Sequence, residues 1–402
     1  MKNISIEKIN FYFIALIPLF ILTGSLLTNI FIILIGLLFL YEQIKKKNFQ
    51  IFNDNNFKFL LVIYFYFIIN SIFIAKNDLS FYKALAYIRF IIFAYALNYY
   101  FNIYKLRIIK VWAIIFFITT FDIIFEYFFG VNIFGFSSIY PARIASFTGD
   151  ELVIGGFYFC FITFVLGFLK IKKNSFFLTF LIFFFFISLI IGERSSFLKI
   201  CIIYSLFLIS LNNFSNVKKI LSFILIVGIF VFVIHQNDGL RSKYINHIFV
   251  IKDNSNQNDT NNQKGMETYI KSNRHLQHYL IALEIFKESP FYGSGFRTYR
   301  YESFKDRFNE NFVSSSGSTH PHQIHFEILS DLGIVGYFLI LLNIIKLLFK
   351  QRKIKLDEIR YGSILFVIAY LTPIIPSGSF FSTFYATIFW INYSFLIENK
   401  NK

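Results

Sequence analysis

Residues 176–211 read FFLTFLIFFFFISLIIGERSSFLKICIIYSLFLISL. Two apolar runs, each close to the length that crosses the hydrocarbon core of a bilayer, flank the polar break Gly192-Glu193-Arg194-Ser195-Ser196. The break leaves room for a turn and nothing more, so the pair reads as two helices that cross, turn and cross back. The same alternation extends outward to both ends of the chain. Of 402 residues, 56% are hydrophobic, 21% aromatic and only 15% charged, and the charges cluster between apolar runs. A soluble domain carries roughly 25% charged residues.

Spans are expected near 10–26, 29–43, 59–75, 83–101, 110–129, 151–169, 176–192, 195–211, 219–235, 323–346, 361–376 and 379–396. The expected fold class is therefore all-α: a polytopic integral membrane protein of about twelve transmembrane helices, with a large, partly helical periplasmic loop between spans 9 and 10. Loop charge tests the threading. With the N-terminus inside, the inside loops hold Lys45, Lys46 and Lys47; Lys105, Arg107 and Lys110; Lys170, Lys172 and Lys173; Lys218 and Lys219; and Lys350, Arg352, Lys353, Lys355 and Arg360. The short outside loops carry little beyond Lys76, Lys83, Arg143 and Arg194. Every inside loop is basic, as the positive-inside rule requires, so both termini are expected in the cytoplasm.

The formal net charge of +16 follows from the same bias, and no nucleic-acid partner is inferred from it. Cys160 and Cys201 fall inside apolar runs and imply no disulfide. Lys2 and Lys8 precede an apolar run without a small-residue cleavage site, which reads as an uncleaved first span.

The outer segment 236–321 opens with a stretch rich in Asn and Gln, Asp253 to Lys264, whose composition predicts disorder. From Arg274 to Glu288, Leu276, Leu280, Leu283 and Phe286 recur as one face of a helix. Ser289-Pro290 ends it and Tyr292-Gly293-Ser294-Gly295 makes a turn.

Ionisable residues within or beside a span are functional candidates. Arg194 reads either as a bidentate phosphate ligand or as an interfacial anchor paired with Glu193. Arg89 lies within the fourth span, and Asp122 and Glu126 lie four apart at a similar depth in the fifth. A buried structural ion pair is the favoured reading of the three; a phosphate contact by Arg89, or a proton path through the acids, is the sharper one. Arg274 reads, on its own, as a solvated charge on a surface helix. His320, His322 and His325 gather at the outer start of the tenth span, where a neutral imidazole suits a general base. Zinc is weighed there and set aside for want of a cysteine or a well-placed carboxylate.

His322-Gln323, nine residues, then Gly333-Ile334-Val335-Gly336 resembles the signature of bacterial O-antigen ligases. Arg274, Ala282-Leu283, Ser289-Pro290 and Gly293-Ser294-Gly295 resemble the arginine helix and Gly-x-Gly turn of that family, and Gly192 to Ser196 resembles its short arginine segment. The resemblance covers about 140–350. It implies a GT-C-like, metal-independent, inverting glycosyltransferase of the inner membrane with a periplasmic active site. The implied donor is a glycan on undecaprenyl pyrophosphate and the implied acceptor a lipid A core sugar, with no cofactor and no nucleotide. Carried over, His322 is the general base and Arg194 and Arg274 clamp the pyrophosphate, with Arg89 a further contact. Gln323, Gly333, Gly336, Pro290, Gly293 and Gly295 complete the motifs. The regions are then 1–129 with spans 1–5, an O-antigen ligase-like region 130–350 and the last two spans in 351–402. Asp150-Glu151 beside Gly155-Gly156 is a candidate acceptor-side feature.

The rival within the resemblance is an O-antigen or capsular polysaccharide polymerase, whose acceptor is another lipid-linked glycan. A polysaccharide or lipid transporter is the rival of another class. Arg89, Asp122 and Glu126 suit transport, but no internal repeat is present and the polar residues gather at the outer face and not the midplane.

Overall fold

The computed structural model describes residues 5–75, 77–140, 142–151, 153–171, 177–210, 216–241, 273–305, 317–352 and 357–397, and among them every regular element is helical. The first expected span is two helices, α1 (Ile6–Ala15) and α2 (Ile17–Leu22). Pro18 has no N–H for the carbonyl of Ile14, four residues back. That carbonyl accepts the indole Nε1–H of the fully buried Trp112 at 3.0 Å. Next come α3 (Ser25–Lys45), α4 (Asn55–Asn70) with a π-helical turn Ser71–Ala75, and α5 (Asp78–Ala86).

Two spans joined by a basic loop are expected over 83–129. The structure gives these residues as one helical element, α6 (Ile88–Phe129). A straight helix rises about 16 Å between residues 101 and 112, yet the rings of Phe101 and Trp112 meet edge to face at 5.2 Å. The helix therefore folds back on itself between them. Phe395 and Phe164 close the gap: Phe101 stacks on Phe395 at 4.1 Å, and Phe164 touches both Phe395 (5.0 Å) and Trp112 (5.3 Å). Four rings meet inside the bend, and their burial takes the place of a loop.

The chain continues as α7 (Ile154–Ile171), α8 (Phe177–Ile190), α9 (Arg194–Ser210), α10 (Asn216–Gln236), α11 (Asp238–Arg241), α12 (Arg274–Glu288), α13 (Tyr299–Glu302), α14 (Ile324–Gln351), α15 (Glu358–Tyr370) and α16 (Thr383–Leu396). Within the expected outer loop, 242–272, including Asp253 to Lys264, and 306–316 lie outside the described residues. By length and composition, Ser25–Lys45, Asn55–Ala75, Asp78–Phe129 and Ile324–Gln351 are able to cross a membrane. Ile154–Lys170, Phe177–Ile190 and Phe223–Gln236 are apolar but shorter. The 14 residues of α8 rise about 21 Å, short of a core about 30 Å thick. Length and composition thus support a membrane protein without by themselves supporting twelve crossings.

At one end of the bundle, basic residues from three expected inside loops come together. Lys105 pairs with Asp357, Lys170 with Glu358 (2.8 Å), and Lys46 with Glu42 and Glu7. His275, His278, His320 and His322 gather at the other end.

A kink in α14 shapes that end. Gly333 breaks the helix with φ 63° and ψ −170°. The turn 289–297 docks into the break: Ile334 N–H donates to Pro290 O (2.8 Å), Val335 N–H to Phe291 O (3.2 Å), and Gly295 N–H to Asp331 O (2.9 Å). The Tyr66 hydroxyl donates to the freed carbonyl of Leu332 at 2.6 Å. A Cβ on Gly333 would lie 2.4 Å from the carbonyl of Phe291, and one on Gly293 2.5 Å from the carbonyl carbon of Asp331. Both positions exclude a side chain, so the motif glycines Gly293, Gly295 and Gly333, with Pro290, interlock turn and helix. Gly336 makes room for the Tyr66 ring, 2.8 Å from where its Cβ would stand.

Candidate functional site

His322 occupies the loop before α14, with φ 56° in the left-handed region, where few non-glycine residues settle. Its carbonyl accepts from Ser377 N–H at 2.8 Å. The next residue, Gln323, caps α14 by accepting from Phe326 N–H at 3.0 Å. Glu327, one turn on, is buried; it accepts from the Ser379 hydroxyl and from Phe380 N–H. The segment 372–382 is thus held at two points beside His322.

Around the His322 ring stand three more imidazoles. The centroid of His320 is 4.1 Å away, that of His275 5.1 Å and that of His278 5.3 Å. The last two come from α12, whose N-terminus Asn273 caps. The stripe expected to pack, Leu276, Leu280, Leu283 and Phe286, is only half buried; the buried stripe is Gln277, His278, Ile281, Ala282 and Ile285. The helix is rotated so that His278 turns inward, while Ile281, Ala282 and Ile285 pack with Tyr299 and Phe326.

Burial, then the neighbouring His320, His275 and His278, pushes the His322 imidazole down to about 3. Burial, with His278 and Arg300 next, pushes His320 down to about 4. Both are neutral at physiological pH, so His322 offers a lone pair. Its Nε2 lies 3.4 Å from the Ser318 hydroxyl. His325, the neighbouring candidate, has both ring nitrogens engaged, Nε2 with Leu371 O (2.8 Å) and Nδ1 with the Tyr337 hydroxyl (3.0 Å). Among the described residues no group of three or more His, Cys, Asp or Glu is placed to hold a metal ion.

The other sequence candidates separate. Arg194 begins α9, after a tight turn in which Gly192 (φ 75°) sits against Ala142 O. Its neighbour Glu193 pairs with Arg143 (3.7 Å) and accepts from the Ser196 hydroxyl (2.7 Å). This group and His322 share one end of the bundle, with 372–382 between them: Ser377 bonds to His322, while Gly378 packs on Tyr385, which feels the charges of Glu193 and Arg143. Arg274 is exposed at the start of α12, four residues before His278. Gly155 packs against Glu193 and Gly156 against Phe384, so these glycines serve close helix packing.

The expected pairing of Arg89 with Asp122 and Glu126 is corrected. The acids lie on the far arm of bent α6 and hold loop backbone: Asp122 accepts from Ile133 N–H (2.8 Å), and Glu126 from Ala145 N–H (3.0 Å) and Ser146 N–H. Arg89, at the start of the near arm, donates to Ala86 O at 2.7 Å and lies in the field of Arg297. Arg297, Arg300, His275 and His278 escaped the sequence reading. For His275 and His278 the spacing of three, which puts both on one side of α12, was the available signal.

Residues 178–341, about two fifths of the chain, match the family model described as O-Antigen ligase. No curated protein matches the chain. The matched residues run from α8 to the middle of α14 and take in Arg194, α12, the turn at Gly293, His322 and the Gly333 kink. Over that region the chain is similar to the O-antigen ligase family.

Proposed function

We propose that this chain is a ligase-type glycosyltransferase of the bacterial inner membrane, working on its periplasmic face. It moves a polysaccharide from undecaprenyl pyrophosphate to a sugar of the lipid A core. His322 takes the acceptor hydroxyl proton as the acceptor oxygen bonds to the anomeric carbon. The bond from that carbon to the pyrophosphate oxygen breaks, the electron pair leaves with the pyrophosphate, and the centre inverts. Arg194 and Arg274 stabilise the departing charge. No metal or nucleotide takes part in this reading.

The observation that carries it is the half-buried, neutral His322 among three imidazoles inside the family-matched region. The experiment is complementation of a ligase-null strain. Wild-type chain is expected to cap lipid A core with long glycan, and His322→Ala to insert normally and cap none. Capping by that variant would remove His322 as the base. Restored chain length in a polymerase-null strain, without capping, would instead favour the polymerase reading. Movement of glycan across the membrane without transfer would favour a transporter.

A further inference from the structure

The His322 end holds a second collection of cations, apart from Arg194. Lys83 lies on α5, Arg89 begins α6, and Arg297 and Arg300 follow the Gly295 turn. Lys83 feels the charges of Arg297 and Arg300, Arg89 that of Arg297, and His320 those of both Arg300 and Arg297. All four cations are half-buried, and among the described residues none forms an ion pair within 4.0 Å.

The carboxylates in range are already engaged. Glu327 is held by Ser379 and Phe380, and Asp331 accepts the backbone N–H groups of Tyr299 (2.8 Å) and Arg297. Those bonds fix the backbone at Arg297, which stands at φ 58°. Two polar nitrogens in this group, Arg89 Nε and His320 Nε2, are buried without a hydrogen-bond partner. The Thr319 hydroxyl lies 3.1 Å from His320 Nδ1; when it donates there, Nε2 carries the proton and becomes a donor. Like charges gathered away from water, beside unsatisfied buried donors, describe the lining of an anion site.

We propose that Lys83, Arg89, Arg297, Arg300 and His320 form a phosphate-binding site that takes the phosphate or pyrophosphate headgroup of a second lipid substrate. A lipid is favoured by what lies alongside. Lys83 and Arg89 stand near the start of the apolar run Asp78–Phe129. Phe67 and Tyr87 line a small apolar cavity with Ile91, Phe380 and Trp390, and both rings pack on Phe296 (4.8 and 5.8 Å), next to Arg297. Calling the lipid a substrate rests on the transferase reading above; phosphate binding does not.

The test uses the full chain in phosphatidylcholine nanodiscs and measures equilibrium binding of a labelled isoprenyl pyrophosphate in an Arg194→Ala background. Adding Arg297→Asn with Arg300→Gln is expected to weaken binding at least about tenfold, because charge-assisted contacts are lost. Arg300→Lys is expected to stay within about threefold of its parent, since a point charge still attracts phosphate. Asn tolerates the left-handed backbone at 297; if the double variant fails to melt cooperatively, Lys83→Gln reads the same loss. Competition by inorganic pyrophosphate at concentrations matching the lipid identifies a free diphosphate as the ligand. Competition by the lipid alone identifies the headgroup. Equal affinity in parent and charge-removed variants overturns the site. Glycan transfer is not measured, so failure here leaves the role of His322 untouched, and failure of His322 leaves this site untouched.

Discussion

The neutral state of His322 makes a quantitative claim about acid. An imidazole with an ordinary pKa near 6.5 is about 3% neutral at pH 5, whereas one at about 3 remains about 99% neutral. Between pH 7.5 and pH 5 the first loses about thirtyfold of its base form and the second almost none. The direct assay is a carbon-13 NMR titration of the chain labelled at histidine, with the His322 resonance identified by its absence in His322→Ala. That resonance is expected to hold still from pH 7.5 to 5 in the protein without substrate. Its movement with a midpoint near 6.5 would refute the argument that burial and three imidazole neighbours hold the proton off. Kinetics add a second reading. kcat/KM reports the free enzyme and should show no His322 limb in this range. The acid limb of kcat should lie higher, because a bound phosphate anion offsets the neighbouring positive charge and raises the affinity of His322 for a proton.

Replacing His325 by Phe is expected to leave transfer measurable, unlike His322→Ala, while costing about 1–2 kcal/mol of stability through the partners lost by Leu371 O and the Tyr337 hydroxyl. Paired activity and melting measurements check it. Gly293→Ala should cost at least about 2 kcal/mol, since φ is 69° and the new methyl would meet backbone at 2.5 Å; Gly228→Ala, with nothing within 4 Å, should be neutral or slightly stabilising. Acid should weaken the fold. His320 and His322 have folded pKa values below the unfolded one, so the unfolded chain binds more protons, and melting temperature should fall as pH drops from about 6.5 towards 4.

His322 and the motif glycines were legible because their spacing is local: ten residues separate His322 from Gly333, and each is set by its own turn or cap. The resemblance to the ligase family and the helical, membrane-type fold were legible for a similar reason, resting on short motifs and run lengths. The cation pocket was not. Lys83 and Arg297 come from segments more than two hundred positions apart, joined when Ser80 donates to Phe296 O and Gly295 packs on Ala75. The rotation of α12 was hidden because Leu276, Leu280, Leu283 and Phe286 form a valid apolar stripe; choosing between it and the His278 face depends on what α14 presents. The turn within α6 was legible from Lys105, Arg107 and Lys110, whereas the aromatic packing that closes it joins distant rings and carries no short-range pattern.

The interlock at Gly333 turns the interval between His322 and that glycine into a ruler. The kink is pinned to the 289–297 turn, and the other end of the interval presents the imidazole, so the helical stub between them sets both height and phase. Removing one residue from 324–332 would turn everything before it by about 100° and lower it by about 1.5 Å. The ring would then swing away from its three imidazole neighbours while every glycine contact at the kink stayed in place. Point substitutions along the stub leave the phase intact, whereas a single deletion there alters it. Variation in length is therefore the harsher constraint on this segment, and variation in the solvent- or lipid-facing side chains of the stub the milder one.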